Sequence, residues 1–160
     1  MESTRFTDNG DGTITDGKTG LTWTKEDSWQ YEKQWVSWDE AEKYIDQLRY
    51  IRFADTQDWR LPTKSELRSI YEPDKINKDK YGKVIHLDPI FPEGSQAKNW
   101  TCEYTGNDAY IVDFSAGEVK QLYKSKAGRM AARAVRSRGP KTSEKEGGDS
   151  FDADKFFTAR

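Results

Sequence analysis

Two Ser/Thr-x-x-Glu boxes, Ser37-Trp38-Asp39-Glu40 and Thr63-Lys64-Ser65-Glu66, constrain this chain more than any other feature. In such a box the hydroxyl accepts from the backbone N–H three residues on, and the glutamate reaches back to the N–H of the cap residue. Each box therefore marks a helix start. Behind the first, Trp38, Ala41, Ile45 and Leu48 fall at helical spacing with Tyr44 alongside; behind the second, Leu67, Ile70 and Tyr71 share a face. The second helix is expected to stop around Glu72-Pro73, because the residue before a proline is driven out of the α region. Strand and turn signals surround these two helices.

Upstream, Phe6-Thr7 and Thr13-Ile14-Thr15 flank Asp8-Asn9-Gly10-Asp11-Gly12, and Asp16-Gly17-Lys18-Thr19-Gly20 leads into Leu21-Thr22-Trp23. Asn-Gly and Asp-Gly pairs between β-branched residues predict hairpins, since glycine accepts the positive φ such turns need. Residues 74–98 read as a long irregular loop broken by Gly82, Pro89, Pro92 and Gly94. Strand-like runs return at 100–104, 110–114, 119–123 and 131–135, separated by Gly106-Asn107-Asp108, Ser115-Ala116-Gly117 and Lys126-Ala127-Gly128. The order hairpin, two helices, long loop, β-meander predicts an α+β fold with helices segregated from an antiparallel sheet.

A length of 160 residues suits one domain. Hydrophobic and charged residues each make up 34%, a balance that by itself points to disorder; six Trp, eight Tyr and seven Phe argue the other way. Large rings bury much area per residue, so a compact, ring-rich core is expected. After Gly139-Pro140 the composition shifts to Lys, Ser, Glu, Gly and Asp, so the domain is assigned to 5–138 and residues 139–160 to a flexible polar tail. No stretch approaches membrane-spanning length, and Met1–Arg5 lack an apolar signal region, which leaves an intracellular chain or a mature fragment with an added Met. A single cysteine, Cys102, forms no intrachain disulfide, so the compartment is not legible from cystines.

Several motifs imitate chemistry. Asn9–Thr15 resembles a calcium loop, but with Gly12 at its turn position the last ligand falls on Lys18, where a bidentate Glu is required. Glu72-Pro73-Asp74 and Asn107-Asp108 resemble lectin calcium ligands yet read more simply as a helix stop and a hairpin turn. A weak calcium site in the acidic loops stays open; no other cofactor and no metal ligand set is expected. The lone His86 has no nucleophile motif around it and reads as a loop histidine, and Cys102 reads as a small buried hydrophobe in a strand. Trp29, Tyr31 and Trp35 occupy a polar connector, where they form either a cover over the core or a sugar-stacking platform, the cover being favoured.

One charge asymmetry remains. On a chain of net charge −2, residues 120–142 carry no acid but eight bases: Lys120, Lys124, Lys126, Arg129, Arg133, Arg136, Arg138 and Lys141. Two readings stand: a solvated face balanced by the acidic N-terminal half, or a strip for a polyanion. Arginine forks bind sulfate, phosphate or carboxylate bidentately, and the same electrostatics suit a nucleic acid, the less favoured partner.

Arg5–Asp16 with Thr19-Gly20-Leu21-Thr22-Trp23, then Asp58-Trp59-Arg60-Leu61-Pro62-Thr63 with Glu66-Leu67, resemble the DUF1566, or Lcl C-terminal domain, family. Asp88-Pro89-Ile90-Phe91-Pro92, Trp100-Thr101, Val112–Gly117 and Arg133–Arg136 continue the resemblance in the family's order. It implies a C-type-lectin-like fold in which first and last strands pair and the long loop forms a ligand face. It also implies distant similarity to formylglycine-generating enzymes, whose paired catalytic cysteines this chain lacks, so no enzymatic activity is expected. Ile45 and Ala134 stand where the family often has cysteines. By resemblance the protein is extracellular or at a cell surface, a bacterial adhesin-like module for sulfated glycans. The expected function is non-catalytic recognition of an anionic glycan or similar polyanion through Lys124, Lys126, Arg129, Arg133, Arg136 and Arg138, though strand alternation forbids all six from facing one way. The alternative is a protein-binding or assembly module that uses residues 74–98 and the C-terminal tail to hold a surface protein. Arg60 and Glu66 are expected to be structural.

Overall fold

The computed structural model describes residues 5–137. Strands β1 (Phe6–Asp8) and β2 (Thr13–Asp16) form the expected hairpin, with β3 (Thr22–Thr24) antiparallel to β2. The calcium-like segment is the hairpin turn. Asp11 Oδ1 accepts from the amide and hydroxyl of Thr13, and the Asn9 amide donates to Thr13 and Thr15 hydroxyls.

Both boxes form as expected and start α2 (Trp38–Tyr50) and α3 (Lys64–Ser69). A third helix, α1 (Ser28–Glu32), precedes them where only a connector was predicted. It has its own box: Gln30 N donates to Asp27 Oδ1 at 2.9 Å and Asp27 N to Gln30 Oε1 at 3.0 Å. α3 ends at Ser69, before Pro73 could stop it, and beyond it the Glu72 amide pairs with the His86 carbonyl at 3.0 Å. The long loop is also more regular than expected, because β4 (Asn77–Lys78) and β5 (Val84–Ile85) form a small hairpin within it.

The meander is β6 (Lys98–Thr105), β7 (Asp108–Asp113) and β8 (Glu118–Tyr123), all antiparallel. The last expected strand, 131–135, divides in two. β9 (Met130–Ala131) joins the meander sheet beside β6, and in parallel, whereas β10 (Val135–Arg136) joins β3 antiparallel. The resulting sheets have orders β1-β2-β3-β10 and β8-β7-β6-β9, so the final strand closes the N-terminal sheet beside β3, not beside β1. The crossing between sheets is stitched to residues 24–28: Thr24 N and Ser28 N donate to Ala134 O and Ala132 O, and their hydroxyls accept from Ala134 N and Ala132 N. The architecture is α+β.

Strand alternation sends neighbouring β7 residues into different cores. Ile111 packs with Ala41, Tyr44, Ile45, Leu48, Trp59 and Trp100 under α2. Val112 packs with Ile14, Trp23, Leu67, Ile70, Phe91 and Val135 under α3. The rings fill both volumes, as the composition implied.

Arg60 and Glu66 partner each other in a bidentate fork, 2.8 Å at both contacts. Arg60 also exchanges two backbone bonds of 2.9 Å with Val135, which places the fork at the open side of β10. Burial raises the Glu66 carboxyl, but the Arg60 fork and the Thr63 cap outweigh it and hold it below the ordinary carboxylate range. A depressed folded-state value means stability that is present above the unfolded value and lost as pH falls through the folded one. Glu66→Gln should cost about 1–3 kcal/mol at neutral pH and flatten the acid limb of stability against pH, measured by denaturant unfolding; an acid limb identical to the parent protein's would refute the assignment.

Candidate functional site

The six basic residues expected to share a strip are scattered by the fold. Arg133 is the clearest correction. It is fully buried in the crossing between β9 and β10, where Nη1 donates to the carbonyls of Thr24 and Lys25, and its Cζ lies 4.9 Å from the Phe91 ring centroid. The opposite charge it answers is the buried Asp27. Arg136 is committed to Asp58 through contacts of 2.7 and 3.0 Å. Lys124 lies over the rings of Tyr104 (3.8 Å) and Trp38 (4.6 Å) at the end of the meander. Lys126 is exposed in the turn beyond it, and Arg138 lies outside the described residues, as does the tail from 139 onward.

Arg129 is differently placed. Its backbone is left-handed, φ 62°, and its guanidinium sits 4.5 Å from the Tyr81 ring centroid. The parallel pairing of β9 with β6, Met130 opposite Lys98, brings it to the start of β6. Together with Lys83, Lys98 and Gln96 it lines a cleft of about 250 Å³ between the long loop and the meander.

The cleft is shaped by two carboxylates, Asp113 with both oxygens engaged and Asp79 with one. Asp79 Oδ1 accepts from the amides of Tyr81 (2.8 Å) and Lys83 (2.9 Å), and this turn presents the Tyr81 ring, which is 40% exposed. The Lys80 amide, donating to Ser95 O at 2.8 Å, anchors the turn to the wall opposite. Asp113 Oδ1 accepts from the amide and hydroxyl of Ser115, and Oδ2 accepts from Lys120 at 3.2 Å. Burial raises the Asp113 carboxyl, but Ser115 and the Lys120 ammonium outweigh it and hold it low and charged. Lys83, Lys98 and Arg129 make no ion pair among the described residues. Gln96 is 1% exposed, and its Nε2 has no hydrogen-bond partner among the described residues. An unmade bond on a buried amide is costly, so it is a group a ligand or water could satisfy.

The family model of the Lcl C-terminal domain matches residues 12–136. The chain belongs to that family. No curated protein matches it. In this Lcl C-terminal domain the matched span runs from the turn after β1 to the end of β10, so the cleft is built wholly from family sequence.

The remaining sequence candidates fall into structural places. Burial pushes the Cys102 thiol up to about 11, with Glu103 adding to it, so the group is held as a neutral thiol. His86 Nδ1 lies 2.9 Å from the Lys75 carbonyl, and its ring packs edge-on against Tyr71. Trp29 is half-buried and stacks on Trp35 at 6.3 Å, but Trp35 and Tyr31 are each 45% exposed, more than a simple cover over the core would be. No three acidic, histidine or cysteine side chains converge as a metal cage among the described residues. Sequence reasoning named the 74–98 loop as a ligand face but did not single out Tyr81, Lys83, Gln96 and Lys98 within it. The Asp79-x-x-Gly82 turn was a local signal, whereas nothing local placed Arg129 beside it.

Removing the turn's acceptor tests how the site is built. Asp79→Ala should leave two amides unpaired at a local cost of about 1–3 kcal/mol, read as faster hydrogen exchange at Tyr81 and Lys83. Unchanged exchange there would show that Asp79 does not hold the ring in place.

Proposed function

We propose that this Lcl C-terminal domain is a non-catalytic recognition module for an anionic, sulfated glycan, carried on a C-type-lectin-like scaffold. The reading rests on one observation: Lys83, Lys98 and Arg129, drawn from three separate segments, line one cleft without carboxylate partners while Asp79 and Asp113 are tied up in its walls. Arg129 offers a planar fork to sulfate or carboxylate, and the lysines add point charges. A volume of about 250 Å³ lies below the roughly 300–1,000 Å³ of sites that enclose a whole small molecule, which suits one residue of a longer chain passing over the surface.

A second reading has its own observation. Ile76, Tyr81 and Val84 stand 57%, 40% and 43% exposed on the same segment, and exposed apolar groups of this size suit a protein partner. The two readings separate by salt.

Binding of a sulfated glycosaminoglycan and its desulfated counterpart, at low and physiological salt, with and without chelator, tests the proposal. The expected result is sulfate-dependent, chelator-insensitive binding that weakens with salt. The variant Lys83→Glu, Lys98→Glu, Arg129→Asn should weaken it at least about tenfold; asparagine keeps the left-handed backbone of position 129. Affinity unchanged in that variant, or equal for the desulfated chain, would overturn the assignment. Salt-insensitive capture of a protein would favour the second reading.

A further inference from the structure

A second cleft has the opposite electrostatic character. It lies between the β1–β2 turn, α1 and the 3-10 turn Phe53–Asp55, has a volume of about 410 Å³, and is walled by Tyr31, Tyr44 and Phe53. The rings meet edge to face: Tyr31 to Tyr44 at 6.3 Å and 67°, Tyr31 to Phe53 at 5.9 Å and 82°. The three rings are set at steep angles to one another, so the lining presents ring surface in more than one orientation. Asp11 and Glu26 also line it. The lysine among them, Lys25, is paired with Asp8 at 2.7 Å, which leaves Asp11 and Glu26 as the lining carboxylates, while behind Tyr44 the buried Arg133 is opposed by the buried Asp27.

The chain holds this cleft open under backbone constraint. Phe53 sits between left-handed, non-glycine residues, Arg52 at φ 54° and Ala54 at φ 53°, with Asp55 at φ 64° beyond. Such conformations cost about 1–3 kcal/mol each and persist only where the surroundings impose them. Here the Trp59 indole donates to Phe53 O at 2.9 Å and fixes the turn. On the other side, Gly12 lets the hairpin tip touch the ring: at φ 91°, a Cβ there would lie 2.9 Å from Phe53 Cζ. Tyr31 is set by the Asp27 box that starts α1.

We propose that this cleft is a binding site for a quaternary or N-methylated ammonium group. Ring faces attract a cation through their quadrupole, and the rim carboxylates add long-range attraction. A methylated cation suits this lining because its methyl groups can pack on Tyr31, Tyr44 and Phe53 while its charge is met by Asp11 and Glu26, and it gives up little hydration on entering. Burial, with the negative charge of Asp27 and Glu32, pushes the Tyr44 hydroxyl far above its usual range, so that wall stays a neutral phenol. The site is separate from the anion cleft and does not depend on it.

The test is an amide-resolved NMR titration of the intact protein with choline chloride and with its neutral isostere 3,3-dimethyl-1-butanol. Choline should shift the Gly12, Thr24 and Tyr31 amides saturably, and the isostere should bind at least about tenfold more weakly. Tyr31→Leu keeps an apolar wall and removes the π face; it should weaken choline about tenfold, whereas Tyr31→Phe should not. The Lys83→Glu, Lys98→Glu, Arg129→Asn variant should bind choline as the parent does. Equal binding of the isostere, absence of saturable shifts, or parent-like affinity in a folded Tyr31→Leu variant would overturn the proposal.

Discussion

The rest of the structure hangs on two buried charges of opposite sign, Arg133 and Asp27, which make no direct ion pair but are each held by backbone hydrogen bonds. Both side chains are withdrawn from water: burial raises the Asp27 carboxyl, opposed by Arg133 and by the amides of Gln30 and Gln96, and it lowers the Arg133 guanidinium, opposed by Asp27. Desolvating two charges is expensive, and such a pair is tolerated where further hydrogen bonds make up the difference. Here they do so unevenly. Asp27 is fully used, through Gln30 N at 2.9 Å and Gln96 N at 2.7 Å, but Arg133 Nε and Nη2 have no partner among the described residues. The arginine thus contributes position as much as stability. It sits where the chain leaves one sheet for the other and grips the carbonyls of Thr24 and Lys25. Through Asp27 the same pair sets α1, which carries Tyr31, and the loop at Gln96, which enters the basic cleft. Both clefts are therefore referred to the same two buried charges.

What was legible in the sequence is what short-range chemistry decides. The boxes at Ser37 and Thr63 and the glycine turns near the N-terminus place their elements correctly because each is complete within a few residues. The box at Asp27 obeys the same rule, but α1 has five residues and no apolar periodicity to draw attention to it. The run 131–135 looks like one strand because its residues are small or β-prone; its division depends on Thr24 and Ser28, which lie far away in sequence. The same limit governs the site. Arg133 looks like its basic neighbours until Asp27 is placed opposite it, and Lys83 joins Arg129 only once β4, β5, β6 and β9 have assembled.

The charge asymmetry of the chain is resolved in space by spending carboxylates locally. Asp58 and Asp113 are engaged by Arg136 and by Ser115 with Lys120, and Asp79 by a turn. Within the basic run Arg136 and Lys120 are thus paired, whereas Lys124, Lys126 and Arg129 make no ion pair among the described residues. Lys83 and Lys98, which a count along that run does not pick, join Arg129. The hairpin tip does the reverse, gathering Asp8, Asp11 and Glu26 around one lysine. A protein with net charge close to zero can in this way present two fields of opposite sign, each confined to a cleft and each screened beyond about 10 Å at ordinary salt.

The pairing of β10 with β3, Val135 opposite Trp23, also bears on how the chain is made. During synthesis β1, β2 and β3 emerge long before residue 135, so until that residue appears β3 is a bare edge with its hydrogen-bonding groups unmet. Edges of this kind recruit other strands, and pairings this distant in sequence form slowly. The N-terminal sheet is therefore vulnerable in the nascent chain until β10 is made, and β10 acts as the clasp that ends that exposure.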